Sequence, residues 1–197
     1  MPSWKKMDNI NQIIHERRSH YPHEFNGQQL DNNIIDTLIE NACWAPNHTL
    51  NFPWRFIVLK DEALKNWLQL VLDNFIKDTP PEKFNQKKVD KIQAYQTQVS
   101  HAIVLICEHD SESANKQKED LLAVACGVQN MYLSLSQFPN AGGYWSTGMG
   151  TYGPAMHAYF KLKSNQVLMG YFMLGSLDKK RTESHRKDFK QFIISEK

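Results

Sequence analysis

The chain has 197 residues, enough for one packed domain, or one domain with an arm, and short for two. Its 23 Lys and Arg stand against 21 Asp and Glu, a formal charge of +2 that excludes the broad basic footprint of a dedicated nucleic-acid binder. Hydrophobic residues make up 41%, and no stretch approaches the ~18 consecutive apolar residues that cross a bilayer. The N-terminal MPSWKKMDNINQIIHERRS is polar and helical in pattern and lacks the apolar run of a signal peptide, so the expected location is the cytoplasm, with neither nucleic acid nor membrane as partner.

In chain order, Ile10, Ile13 and Ile14 share a helical face before Arg17, and Ser19 to Gly27 reads as an irregular connection. Leu30, Ile34, Ile35, Leu38, Ile39 and Ala42 recur at helical spacing, and Pro46 closes that helix because the residue before a proline is pushed out of the α region. Arg55 to Leu59 is a short strand. Asp61 is the expected cap of the next helix, whose Leu64, Trp67, Leu68, Val71, Leu72, Phe75 and Ile76 repeat at three and four.

Residues 77 to 98 read as a surface excursion with a polar helix. HAIVLIC at 101 to 107 reads as a buried central strand, and Asp110 to Lys118 as a polar loop. LLAVACGVQNMYLSL, 121 to 135, is apolar nearly all round, which predicts a helix covered on every side, in part by a partner subunit. A glycine pair and a short aromatic strand follow, then a glycine turn, a short helix from about Pro154, and a last strand, QVLMGYFMLG, 166 to 175. The tail 176 to 197 carries Lys179, Lys180, Arg181, Arg186 and Lys187. Strands mixed with helices in this order indicate an α+β or three-layer αβα domain.

Cys43, Cys107 and Cys126 have neither disulfide nor zinc spacing and read as small buried hydrophobes. The eight histidines hold no metal-ligand pattern. Gly148, Gly150 and Gly153 spell GxGxxG, but Pro154 removes a donor and the following helix is too short for a dinucleotide fold, so a flexible turn is the better reading. A non-flavin NAD(P) domain would rest on this turn alone. Arg17, Arg18 and Ser19 bring two guanidiniums and a hydroxyl to the end of the first helix. They read either as solvated cations at a helix C-terminus or as a phosphate fork. The loop NACWAPNHTLNFPW places Trp44, Asn47, His48, Asn51 and Trp54 together, either as a hydrophobic plug or as a wall for a planar, heteroatom-rich ligand.

Taken together, ERRS, WAPNHTLNFPWRFIVL, GGYWSTG and VLMGYFMLG followed by a basic tail resemble the nitroreductase family of FMN-dependent oxidoreductases, in its short, compact branch, over residues 10 to 187. The resemblance implies one FMN-binding domain over 1–197, with a mixed, mainly antiparallel central sheet, in a domain-entwined homodimer. It implies that Arg17, Arg18 and Ser19 hold the FMN phosphate and ribityl chain, with Arg181 or Arg186 reaching the phosphate. Trp145, Ser146 and Thr147 line the ring, and Trp44 and His48 of the partner subunit, with Asn51 nearby, reach its edge. No protein side chain is expected to be catalytic in its own right, because the chemistry sits at flavin N5, which takes hydride from NAD(P)H and passes it to nitroaromatic, quinone-like or other electron-poor acceptors in a ping-pong cycle. Two positions depart from the family pattern. Phe52 stands where Gln or Glu precedes the PW pair, and Ser146 stands where a basic residue often follows the late Trp. The alternative they motivate is an FMN-binding or sensing protein of the same fold with little turnover.

Overall fold

The computed structural model describes residues 10–195. The expectation of helix in the first nine residues lies outside that range. Four strands, β1 (Trp54–Lys60), β2 (His101–Glu108), β3 (Ala141–Ser146) and β4 (Gln166–Ser176), form one sheet in the order β1-β2-β4-β3. All three pairings are antiparallel. The central position of β2 explains its unbroken apolar run: both edges are paired and both faces are covered, so His101 to Cys107 are all buried.

Alternation along the strands sorts two cores. Ala102, Val104, Tyr171 and Met173 face α3 (Asp61–Asp78) and α4 (Gln86–Gln98), packing on Trp67, Leu68, Ile92 and Tyr95. Ile103, Leu105, Phe172 and Leu174 face the other way, onto Leu38 of α2 (Asn32–Cys43) and Val128 and Met131 of α5 (Ala114–Ser134). The result is the expected three-layer arrangement, with the short helices α1 (Ile10–Glu16) and α6 (Pro154–Tyr159) at the periphery. Helices α2 and α5 approach closely because Gly127 has no side chain: a Cβ there would meet the Ala42 carbonyl oxygen at 3.0 Å.

Several local expectations are corrected. Asp61 does not cap α3; Lys60 is the N-cap and Asp61 is the first helical residue, at φ 49°. Helix α2 ends at Cys43 with Trp44 as its C-cap, two residues before Pro46. The loop expected to run to Lys118 gives way to helix at Ala114, because the Lys, Gln and Glu there are good helix formers that carry no apolar period. Only Cys107 is a buried cysteine; Cys43 and Cys126 are exposed. Burial, with the Asp120 carboxylate nearby, pushes the Cys107 thiol up to about 12 and leaves it inert. Within the single chain α5 is not covered on every side, since Leu122 is 65% exposed beside Cys126.

Candidate functional site

Arg17, Arg18 and Ser19 follow α1 and are anchored to the outer edge of β3, where the His20 N–H donates to the Gly143 carbonyl at 3.0 Å. The tail returns from β4 to the same place. Arg17, Arg18, Ser19, Arg181 and Arg186 all line one cavity of 260 Å³. A second cavity of 470 Å³ shares Arg17, Arg18 and Arg181 and extends between α1 and α5 to His20, Tyr132 and Lys180. The basic residues that follow the first helix and those of the tail therefore converge.

Their guanidiniums are not equally free. Arg18 donates to the backbone carbonyls of His15, Thr182 and Glu183 at 2.6, 2.8 and 3.0 Å, so it fastens the tail to the first helix. Arg181 pairs with Glu24, at 2.8 Å from Nη2 to Oε2, and lies over the Tyr21 ring. Burial raises the Glu24 carboxyl, but the Tyr21 N–H and Arg181 outweigh it and hold the group below its ordinary value. Arg17 lies over the Tyr132 ring, 5.1 Å from its centroid, and among the described residues its guanidinium donates only to the Ser19 hydroxyl at 3.5 Å, so most of its fork is uncommitted there.

Tyr132 is the residue that sequence reasoning missed. Its hydroxyl oxygen accepts the Trp145 N–H at 2.7 Å and the Ser19 hydroxyl at 3.3 Å, tying the arginine segment to the aromatic strand. The helical run containing it was legible as apolar, but nothing in the spacing showed that its polar end reaches β3. Trp145 is fixed at its other end by an indole N–H donated to the Met169 carbonyl at 2.9 Å. That carbonyl is available because β4 bulges there: Leu105 pairs with Gly170 and Ile106 with Leu168, leaving Met169 as the extra residue. Ser146 is buried and Thr147 exposed at the end of β3.

His20 is a further buried member of this region. Its Nδ1 is 3.7 Å from Glu24 Oε1, too long for a hydrogen bond. Burial, helped by Lys180 and Arg181 and opposed by Glu24, lowers its pKa. Lys180 is lowered by burial too and donates to the Leu135 carbonyl at 2.7 Å.

The loop after α2 lies elsewhere. Trp44 is 80% exposed, whereas Trp54 is core, packed with Cys107 and Val124, so the loop is partly plug and partly open wall. Thr49, Leu50 and Phe52 all adopt positive φ. Residues in that region persist only where their surroundings hold them. Here Asn51 donates its amide to Asp120, which also accepts from His109 at 2.9 Å, while the Asn47 side chain accepts the Phe52 N–H and His48 faces Glu119 at 3.6 Å. Asp120 and Tyr132 are twelve residues apart on α5, about 18 Å of helix rise. One chain therefore does not bring Trp44, His48 and Asn51 to the arginines. The glycine turn precedes a helix of only six residues, as the flexible-turn reading expected. Among the described residues no cluster of His, Cys, Asp and Glu has the arrangement of a metal site, and no helix is long and apolar enough to cross a membrane.

A three-layer α+β fold whose N-terminal arginines and basic tail meet at the edge of an aromatic strand defines a recognisable class. The chain belongs to the nitroreductase family, whose model matches residues 14–176. It is 27% identical over 178 residues to the candidate NAD(P)H nitroreductase YfhC of Bacillus subtilis, covering 88% of this chain and 89% of that one. The crystal structure of a nitroreductase-like family protein from Bacillus cereus superimposes with a TM-score of 0.82 at 23% identity, covering 97% of each chain. A candidate nitroreductase from Desulfovibrio desulfuricans, solved in complex with FMN, superimposes with a TM-score of 0.74 at 16% identity, covering 98% of this chain and 99% of that one.

Proposed function

We propose that the protein is an FMN-dependent NAD(P)H oxidoreductase acting on nitroaromatic, quinone-like or similar electron-poor compounds, as a cytoplasmic homodimer with two FMN sites at the subunit interface, each built from both chains. The observation that carries this reading is the convergence of Arg17, Arg18, Ser19, Arg181 and Arg186 on one cavity beside Trp145 and Tyr132. The residues fit the cofactor. A phosphate needs several donors in a fork geometry, and Arg17 keeps its fork open while Ser19 adds a hydroxyl. Arg18 contributes by holding the tail in place, so its role is positioning as well as charge.

When bound, FMN supplies hydride transfer between a nicotinamide and the acceptor. The protein's part is to bind and orient. The Met169 carbonyl and the bulge fix the plane of Trp145, and the Tyr132 hydroxyl fixes its backbone. Trp44 and His48 of the partner subunit complete the wall. The openness of Trp44, Leu50 and Leu122 in the single chain supports a second copy covering them. Neither chemical step requires a nucleophilic side chain.

Steady-state oxidation of NADPH and NADH against a nitroaromatic tests the reading. Parallel double-reciprocal lines are the expected pattern, and absence of turnover with FMN bound would favour the second reading, a flavin-binding protein with little activity. That alternative rests on Phe52, which is half exposed at φ 49°, and on Ser146, which is buried and accepts the Gly148 N–H at 3.4 Å, where the family pattern supplies stronger donors.

A further inference from the structure

The arginine cavities do not account for all the enclosed space. A separate cavity of 460 Å³ lies between α3, α4 and the glycine turn, within the ~300–1,000 Å³ range of small-molecule sites. It opens on the opposite layer from the 470 Å³ cavity. Tyr144 and Ser146 line it, whereas Trp145, between them on β3, points into the α2/α5 core. We propose that this second cavity is a binding site for a planar aromatic carboxylate.

Shape and charge point the same way. The floor is Val71, Ile92, Met149, Met156 and Met173, with Phe75, Tyr95 and Tyr144 on the walls. Thioethers adapt to, and pack favourably against, a flat ring. Lys88 and Lys91 stand on the rim of α4, one ammonium 4.3 Å from the Phe75 centroid and the other 5.9 Å from that of Tyr95. Neither lysine pairs with a carboxylate in the ion pairs of the described residues. The facing charge is the single carboxylate of Asp78, so the rim carries one net positive charge and matches a monoanion better than a dianion. Asn74 lines the same wall, and its Nδ2 is buried with no hydrogen-bond partner among the described residues. The turn that closes the cavity adopts positive φ at Met149 and Gly150, and Thr151 ties it down by donating to the Gly148 carbonyl.

The site shares Ser146 with the residues assigned to the flavin ring, and its test keeps the two readings apart. The purified protein, with and without excess FMN, is titrated with 1-naphthoate and, in parallel, with the uncharged 1-naphthamide, followed by amide NMR shifts. The expected result is saturable movement of the Asn74 side-chain amide and the Gly148 and Gly150 N–H signals with naphthoate in both conditions. The uncharged amide should bind at least tenfold more weakly. The Lys88→Glu/Lys91→Glu variant, altered only at exposed positions, should bind naphthoate at least tenfold more weakly with FMN affinity unchanged. Four outcomes overturn the proposal: no saturable shift at these groups, equal affinity for the two probes, indifference to the charge reversal, or displacement of naphthoate by FMN. Failure of FMN itself to bind would strike the flavin reading and leave this result standing.

Discussion

Tyr132→Phe isolates the link between the arginine segment and the aromatic strand. The ring is 9% exposed and packs at 4.8 Å on Phe172, so the substitution keeps volume and stacking and deletes only the hydroxyl. Two hydrogen bonds disappear, from the Trp145 N–H and from Ser19. The Trp145 N–H sits in a half-buried strand and loses its acceptor, which costs about 1–3 kcal/mol, and the longer Ser19 bond adds roughly 0.5 kcal/mol. A loss of about 2 kcal/mol, at a urea dependence near 3 kcal/mol per molar for a chain of this size, lowers the urea midpoint by about 0.7 M. Urea unfolding of the flavin-free protein measures this, with the slope checked for constancy. A midpoint shift below about 0.1 M would show that the hydroxyl is not the structural hub described here.

Other outcomes follow from the same geometry. Arg17→Ala should weaken FMN binding roughly ten- to hundredfold, the equivalent of one charge-assisted contact of about 1.5–3 kcal/mol, in a fluorescence-quenching titration. Unchanged affinity would reassign the phosphate to another arginine. Glu24→Gln frees Arg181 and should tighten FMN severalfold. Because the Glu24 carboxyl is depressed in the fold, its stabilising pair is present above the ordinary carboxylate range and is lost as pH falls through the depressed value, so the variant and parent should converge in stability at acid pH. His20 is lowered from 6.5, so the unfolded chain takes up its proton first. Stability should fall with pH from about 6.5 toward the lowered value, and His20→Asn should flatten that slope in denaturation series. Gly175→Ala would put a Cβ 2.3 Å from the Phe25 ring and should cost about 3 kcal/mol or more, seen as a large drop in Tm.

What the sequence showed and what it hid divide along physical lines. Period and composition placed β2, α2 and α3 because each buries a continuous apolar face, and an apolar face is written directly in the residue types. The start of α5 was hidden because Ala114 to Glu119 is polar on all sides and is helical only as the first turns of a helix whose burial begins further on. Cys43 and Cys126 were misplaced because cysteine carries an average preference for burial and no local pattern. The arginines were legible as a pair at a helix end. Their unequal freedom was not, since it depends on carbonyls of residues 182 and 183 and on the carboxylate of Glu24. The triple left-handed stretch at Thr49, Leu50 and Phe52 leaves no sequence signal at all, because none of the three is glycine.

The central claim is that the arginine and aromatic cluster holds FMN and lets it cycle. Its most direct test is an absorption spectrum after excess FMN and desalting, followed by anaerobic NADPH, then NADH, then a nitroaromatic. A retained flavin spectrum that one of the nucleotides bleaches and the nitroaromatic restores is the predicted result. A desalted protein that carries no flavin would contradict the account at its base.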